Sequence, residues 1–242
     1  MSLFFEELDY QPTPIGAISL RRRRDLKLDV DVLEIILGDE HLMSDLFTVS
    51  EVALATQGLS ALTGPGPLSV VVGGLGMGFT AAAALLDNRI SEMLVVEKLA
   101  PVIGWHESGL IPLGKDLTDN PKCRFVEGDF FAMALGQDGF DPAKSGQQFD
   151  AVLLDIDHTP DFHLAPSHAG LYQPEGLAQL QRHLRPGGVF ALWSNDPPDE
   201  AFTARLGKVF ASASAVPVPF YNPLQDRDYV QCIYLARVGA SL

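Results

Sequence analysis

From Pro67 onward short apolar-rich runs alternate with helix-like stretches, the pattern of strand followed by helix. "LSVVVGG" predicts a strand, "TAAAALLDN" a helix, "SEMLVVEK" a strand and "PVIGWHESGL" a helix. "CRFVEGD", "FDAVLLDID" and "GGVFALWS" predict three further strands, with the helix "QPEGLAQLQRHL" before the last of them. Runs that are apolar throughout suit strands buried on both sides, so this order implies an α/β fold with a mostly parallel sheet covered by helices on each face. The tail changes pattern: "PPDEAFTARLGKVFA" predicts a helix, and "ASAVPVPF" and "RDYVQCIYLAR" two strands close enough to pair antiparallel.

Ahead of this series, Ile15 to Met43 is rich in Ile, Leu and Val with turn residues between, which predicts a small antiparallel β-rich unit over residues 1–45. The run "RRRR" at Arg21 to Arg24 is expected at a solvated hairpin end. "SDLFTVSEVALATQGLSAL" sets Leu46, Val49, Val52, Ala53 and Leu59 near a 3.6 period, with Ser44 or Asp45 as N-cap, and predicts a helix leading into a main unit over residues 46–242. "TGPGP" breaks the chain after it.

Composition adds limits. With 242 residues, 47% hydrophobic and 20% charged, the chain can bury one large core with a small appendage. Only two cysteines occur, Cys123 and Cys232, each alone, so there is no disulfide framework and no paired spacing for zinc, which fits a reducing, cytoplasmic setting. "MSLFFEELDY" is wrong for a secretory signal, and no window approaches about 18 uninterrupted apolar residues, so neither export nor a membrane partner is expected. The formal net charge of −14 repels nucleic acid and favours small cations, though acidity of this kind also serves solubility alone.

"GGLGMG" follows the first strand of the series and opens a helix, so Gly74, Gly76 and Gly78 fit a G-x-G-x-G turn that lets backbone approach a nucleoside closely. Read two residues later, Gly76, Gly78 and Ala81 also satisfy the G-x-G-x-x-A dinucleotide pattern, and a nicotinamide or flavin enzyme stays open on this loop alone. Glu97 ends the next strand about 20 residues on, where a carboxylate can accept from both hydroxyls of a ribose. Asp129 ends the third strand, within reach of an adenine amino group if a nucleoside lies across the strand ends.

Taken in order, "VVVGGLGMG", "LVVEK", "FVEGD", "FDAVLLD" and "LRPGGVFAL" resemble the class I S-adenosylmethionine-dependent transferases, and among them spermidine synthase and its relatives, over roughly Leu68 to Arg237. The resemblance implies a Rossmann-like sheet with an antiparallel strand at its C-terminal end, a small N-terminal β-rich domain and association as a homodimer. It implies that Gly74, Gly76 and Gly78 line the methionine moiety, that Glu97 takes the ribose, and that Asp129 takes the adenine of S-adenosylmethionine or its decarboxylated form. The product would be S-adenosylhomocysteine or methylthioadenosine.

"LLDIDHTP" carries the candidate chemistry. Asp155 matches the first acid of the family's D-x-x-D-P, whereas Asp157 comes one residue early and the proline is displaced. A primary amine with a pKa near ~10.4 arrives protonated, so a carboxylate must hold the cation and then help remove a proton. Both acids are candidate catalytic residues, with Asp155 the better placed. Gly76 stands where spermidine synthases carry an acid for the aminopropyl ammonium, and Val72 where many methyltransferases carry one. Three readings follow: alkylation of a small cationic amine, a methyltransferase of another acceptor, or a catalytically silent nucleoside-binding module. The loop "DHTPDFHLAPSHAGLY" spaces His158, His163 and His168 by five; without cysteine or a fixed second element they predict substrate contacts and no metal. His158, Tyr172, Trp193 and Asn195 are the candidate substrate residues, and Asp196 a candidate cap for the helix after Pro197.

Overall fold

The computed structural model describes residues 4–240, so the outer ends of both predicted units, residues 1–3 and 241–242, lie outside the described residues. Four antiparallel strands come first: β1 Phe5–Thr13, β2 Gly16–Asp25, β3 Val30–Leu37 and β4 Glu40–Ser44, paired in sequence order. The N-terminal strand β1 carries few apolar residues and is not marked by the sequence pattern. The four arginines run inside β2 and do not form a hairpin end, because the flanking strands set acids opposite them. Arg22 pairs with Glu6 at 3.1 Å, Arg23 with Glu34 at 2.7 Å, and Arg24 with Asp31 at 3.1 Å.

Helix α1, Val49–Ser60, begins after the expected caps; Asp45 accepts instead from the Leu33 backbone N–H at 3.0 Å. Its buried face is Ser50, Leu54, Ala55, Gly58 and Leu59, while Val49 and Val52 are exposed. Small residues make this face because the helix lies close on the sheet: a Cβ on Gly58 would stand 2.6 Å from Leu153 Cδ2 and 3.1 Å from Ala191 Cβ.

The main sheet follows as β5 Leu68–Gly73, α2 Phe79–Leu85, β6 Ile90–Glu97, α3 Ala100–Ser108, α4 Gly114–Thr118, β7 Cys123–Glu127, α5 Phe130–Leu135 and β8 Phe149–Leu154. It is completed by α6 Pro174–Gln181, β9 Leu184–Ser194, α7 Glu200–Gly207, β10 Ser212–Asn222 and β11 Arg227–Arg237. The strands lie in the order β10-β11-β9-β8-β5-β6-β7, parallel from β9 to β7, with β11 antiparallel to β9 and β10 antiparallel to β11. This is the α/β sheet with an antiparallel C-terminal end that the run pattern predicts. Helix α7 is capped by Asp199, whose carboxylate accepts from Ala201 N and Phe202 N; Asp196 does not cap it, because two prolines extend the loop before the helix starts.

Alternate residues of β5 enter different cores: Val70 and Val72 pack on one face, Val71 on the other. The first of these cores also holds Ile18, Leu20, Leu33 and Ile35, so the small sheet shares its apolar interior with the large one. Trp105 Nε1 donates to Asp9 at 2.6 Å and ties β1 to α3. The small sheet thereby lies beside the C-terminal strand ends, where open parallel sheets bind ligands.

Candidate active site

Backbone bonds carry the parallel register past the strands: Asp155 N donates to Gly73 O, Gly74 N to Val96 O and Gly128 N to Glu97 O, each at 2.8–2.9 Å. These bonds fix the residues that follow β5, β6, β7 and β8 at one sheet edge. Gly74 has φ +92°, and a Cβ there would stand 2.2 Å from Asp155 O, so glycine is required where the first loop passes the fourth strand's end. Gly78 is the N-cap of α2 and sits behind the loop against Leu117 and His106.

A cavity of about 230 Å³ opens between this edge and the β3–β4 hairpin. Among the residues proposed from sequence, Gly74, Gly76, Glu97, Asp129, Asp155, His158 and Trp193 line it. Gly78, Asp157, Tyr172 and Asn195 do not. Asn195 lies at the surface, accepting from Gln231 Nε2 at 3.0 Å. Asp157 is buried, and its carboxylate receives three donors: Leu164 N at 2.8 Å, His168 Nδ1 at 2.8 Å and Tyr172 OH at 2.9 Å. Asp157 and Tyr172 thus hold the loop after β8 from beneath and lie outside the lining of the cavity.

Glu97 accepts from Leu75 N at 3.0 Å and Leu99 N at 2.8 Å, which ties the glycine loop to β6. Burial pushes its carboxyl above the usual range, against the pull of the neighbouring backbone N–H groups. Asp129 caps α5 through Phe131 N and Ala132 N and pairs with Lys98 at 2.8 Å. Burial alone would raise it, but Lys98 and the backbone donors outweigh burial and hold it below the usual carboxylate range.

The third glycine-loop position is unlike a charged site. Met43, from β4, reaches Gly76, and its sulfur accepts from Met77 N at 3.2 Å. Buried His106 donates from Nε2 to Gly76 O at 2.9 Å and braces the loop from behind; burial lowers the pKa of its imidazole.

Sequence reasoning missed Glu51. On α1 it turns inward beside buried Ser50, whose hydroxyl donates to Glu51 Oε2 at 2.8 Å, and its side chain joins Asp155 at the cavity wall. Thr80 donates to Asp155 Oδ2 at 2.7 Å. Burial pushes Asp155 up to about 6, while burial and then the charge of Asp155 push Glu51 up to about 7. Two carboxyl groups within each other's field cannot both ionise freely, and a cation between them restores their charge. The signal available in sequence was an acid among small residues on a helix, in "VSEVALATQG".

The loop histidines diverge. His158 donates to Glu40 at 2.9 Å, His163 to Pro160 O at 2.7 Å, and His168 to Asp157 while stacked on Phe131 with ring centroids 3.6 Å apart. Among the described residues no group of three His, Cys, Asp or Glu side chains is arranged to hold a metal. Trp193 lines the cavity, and its indole N–H is buried without a partner among the described residues. No described helix is long and apolar enough to cross a membrane.

No protein-family model matches the chain, and no curated protein matches it. Among solved structures, a spermidine synthase in complex with the transition state analogue AdoDATO has the same fold, with a TM-score of 0.72 and 16% identity, covering 97% of this chain and 74% of that one. The spermidine synthase from Thermotoga maritima gives a TM-score of 0.71 at 16% identity, over the same 97% and 74%. At this identity the likeness establishes the fold, a small antiparallel sheet joined to a seven-stranded, mostly parallel one.

Proposed function

We propose, from a fold shared with spermidine synthases, that the chain is a transferase moving an alkyl group from an adenosyl sulfonium donor to an amine. The observation that carries this reading is the pair Glu51 and Asp155 at the wall of the same cavity as Gly74, Gly76, Glu97 and Asp129. In the reaction the amine lone pair forms the N–C bond while the C–S bond breaks with its electrons to sulfur. The sulfonium leaves as a neutral thioether, and the nitrogen's surplus proton passes to the carboxyl pair. Most of the acceleration comes from aligning nitrogen, carbon and sulfur, since the leaving group is already activated. Asp155 holds and deprotonates the amine; Glu97 holds the ribose and Asp129 the adenine.

The donor is S-adenosylmethionine or its decarboxylated form. A methyl donor is favoured by Gly76, where the acid expected for an aminopropyl ammonium is absent and Met43 stands instead. Isothermal calorimetry with S-adenosylhomocysteine, methylthioadenosine and NAD tests the nucleoside class. Tight NAD binding with no response to the other two overturns the proposal, and nucleoside binding without turnover on any amine makes the chain a silent binding module. Glu97→Ala is expected to weaken the nucleoside by about 1.5–3 kcal/mol, the range for charged hydrogen bonds, and an unchanged affinity would remove Glu97 from the site.

The carboxyl pair sets a pH dependence. Amine affinity is expected to rise as pH passes from about 6 to about 7, where Asp155 and Glu51 ionise. Without ligand the sign for stability is opposite: both folded values lie above the unfolded ones, so the pair's contribution is fullest below about pH 4 and is lost as pH climbs through about 7. Denaturation melts with and without amine across pH 4–8 check both slopes.

A further inference from the structure

We infer that the acceptor is a monoamine with an apolar body, its one ammonium held by Glu51 and Asp155 and its hydrocarbon laid along the β3–β4 hairpin. The inference rests on the amine-transfer reading and names the substrate class of that site. Glu40 on the hairpin reaches His158, three residues after Asp155, which sets the hairpin over the acidic end of the cavity. What the hairpin presents to the cavity is Ile35, Leu37, Leu42 and Met43, and β9 adds Trp193.

None of these residues carries a negative charge to pair with a second ammonium. Glu34 is buried on Arg23 and does not line the cavity. Asp39 and Glu40 stand exposed at the hairpin tip, also outside the lining, and Glu40 is paired with His158. At the far end Asp129 is engaged by Lys98, and Glu97 by the glycine loop. A second ammonium along the hairpin would therefore be desolvated against hydrocarbon without a counter-charge, while each buried methylene of an uncharged chain strengthens binding roughly fourfold. One positive charge relieves the repulsion of both acids; a second finds no free carboxylate among the described residues of the lining.

Calorimetry on the whole chain, with and without saturating methylthioadenosine, would compare n-butylamine, n-hexylamine, 1,4-diaminobutane and spermidine. We expect n-hexylamine to bind at least tenfold tighter than 1,4-diaminobutane, and tighter than n-butylamine. Glu51→Gln should weaken n-hexylamine at least tenfold and leave methylthioadenosine unchanged. Leu42→Asp, which adds an acid to the apolar wall, should move the preference toward the diamine. Equal or tighter binding of 1,4-diaminobutane or spermidine, no binding of any amine, or indifference of both variants overturns the inference. Nucleoside affinity is read separately: its absence with the amine preference intact defeats the nucleoside reading alone, and its presence with the preference reversed defeats this inference alone.

Discussion

Asp155→Asn will keep its nucleoside and turn over roughly 10²–10⁴-fold more slowly, the usual weight of a general base. The change preserves shape: an amide oxygen can still accept from Thr80, and the backbone bond from residue 155 to Gly73 is untouched. What it removes is the negative charge that, in the proposed reaction, holds an ammonium and receives its proton. With that charge gone, Glu51 loses the neighbour that helps keep it protonated, so its own ionisation should move toward lower pH. Turnover and nucleoside affinity measured on the same preparation separate this from a folding defect. Full activity in Asp155→Asn would leave the carboxylate as no more than the cap of a strand.

Asp157→Ala will lower stability by about 3–5 kcal/mol, since each buried donor left without its acceptor costs about 1–3 kcal/mol. The three donors that now converge on this carboxylate, from Leu164, His168 and Tyr172, would lose their common acceptor. Chemical denaturation gives the number, and a loss within about 1 kcal/mol would show that the loop is held by its aromatic stacking instead. Turnover per folded molecule should fall far less than in Asp155→Asn, because Asp157 does not line the cavity. Two acids separated by one residue thus have separable phenotypes, one kinetic and one thermodynamic.

The sheet was legible because its central parallel strands are apolar runs with a turn after each, and burial on both faces demands such runs, whereas the edge strand β7 buries only Val126. The closing strand pair was legible for a similar reason. Strand β1 was not: half its residues are polar, and what makes it a strand is pairing with the arginines of β2, a contact no local pattern contains. The cavity was half legible. Glycine turns and acids at strand ends are local features, so Gly74, Glu97 and Asp155 could be placed by position in the chain. Glu51 was hidden because hydrophobic periodicity put Val49 and Val52 inward, whereas close packing on the sheet selects small residues and rotates the helix the other way. Asp157 and Tyr172 read like site residues because a polar loop after a strand looks the same whether its side chains point into a cavity or beneath it.

Gly58 gives that rotation a longer reach. It stands about two turns along α1 from Glu51, where the helix backbone presses on Leu153 of β8, two residues before Asp155. One contact therefore sets the spacing of two acids that belong to different parts of the chain. A methyl group added there would require Leu153 or the helix to move, and any movement of the helix would part the carboxyl groups without touching a ligand. On the proposed function, a change at Gly58 would first be noticed as a lost substrate preference in a chain that still folds.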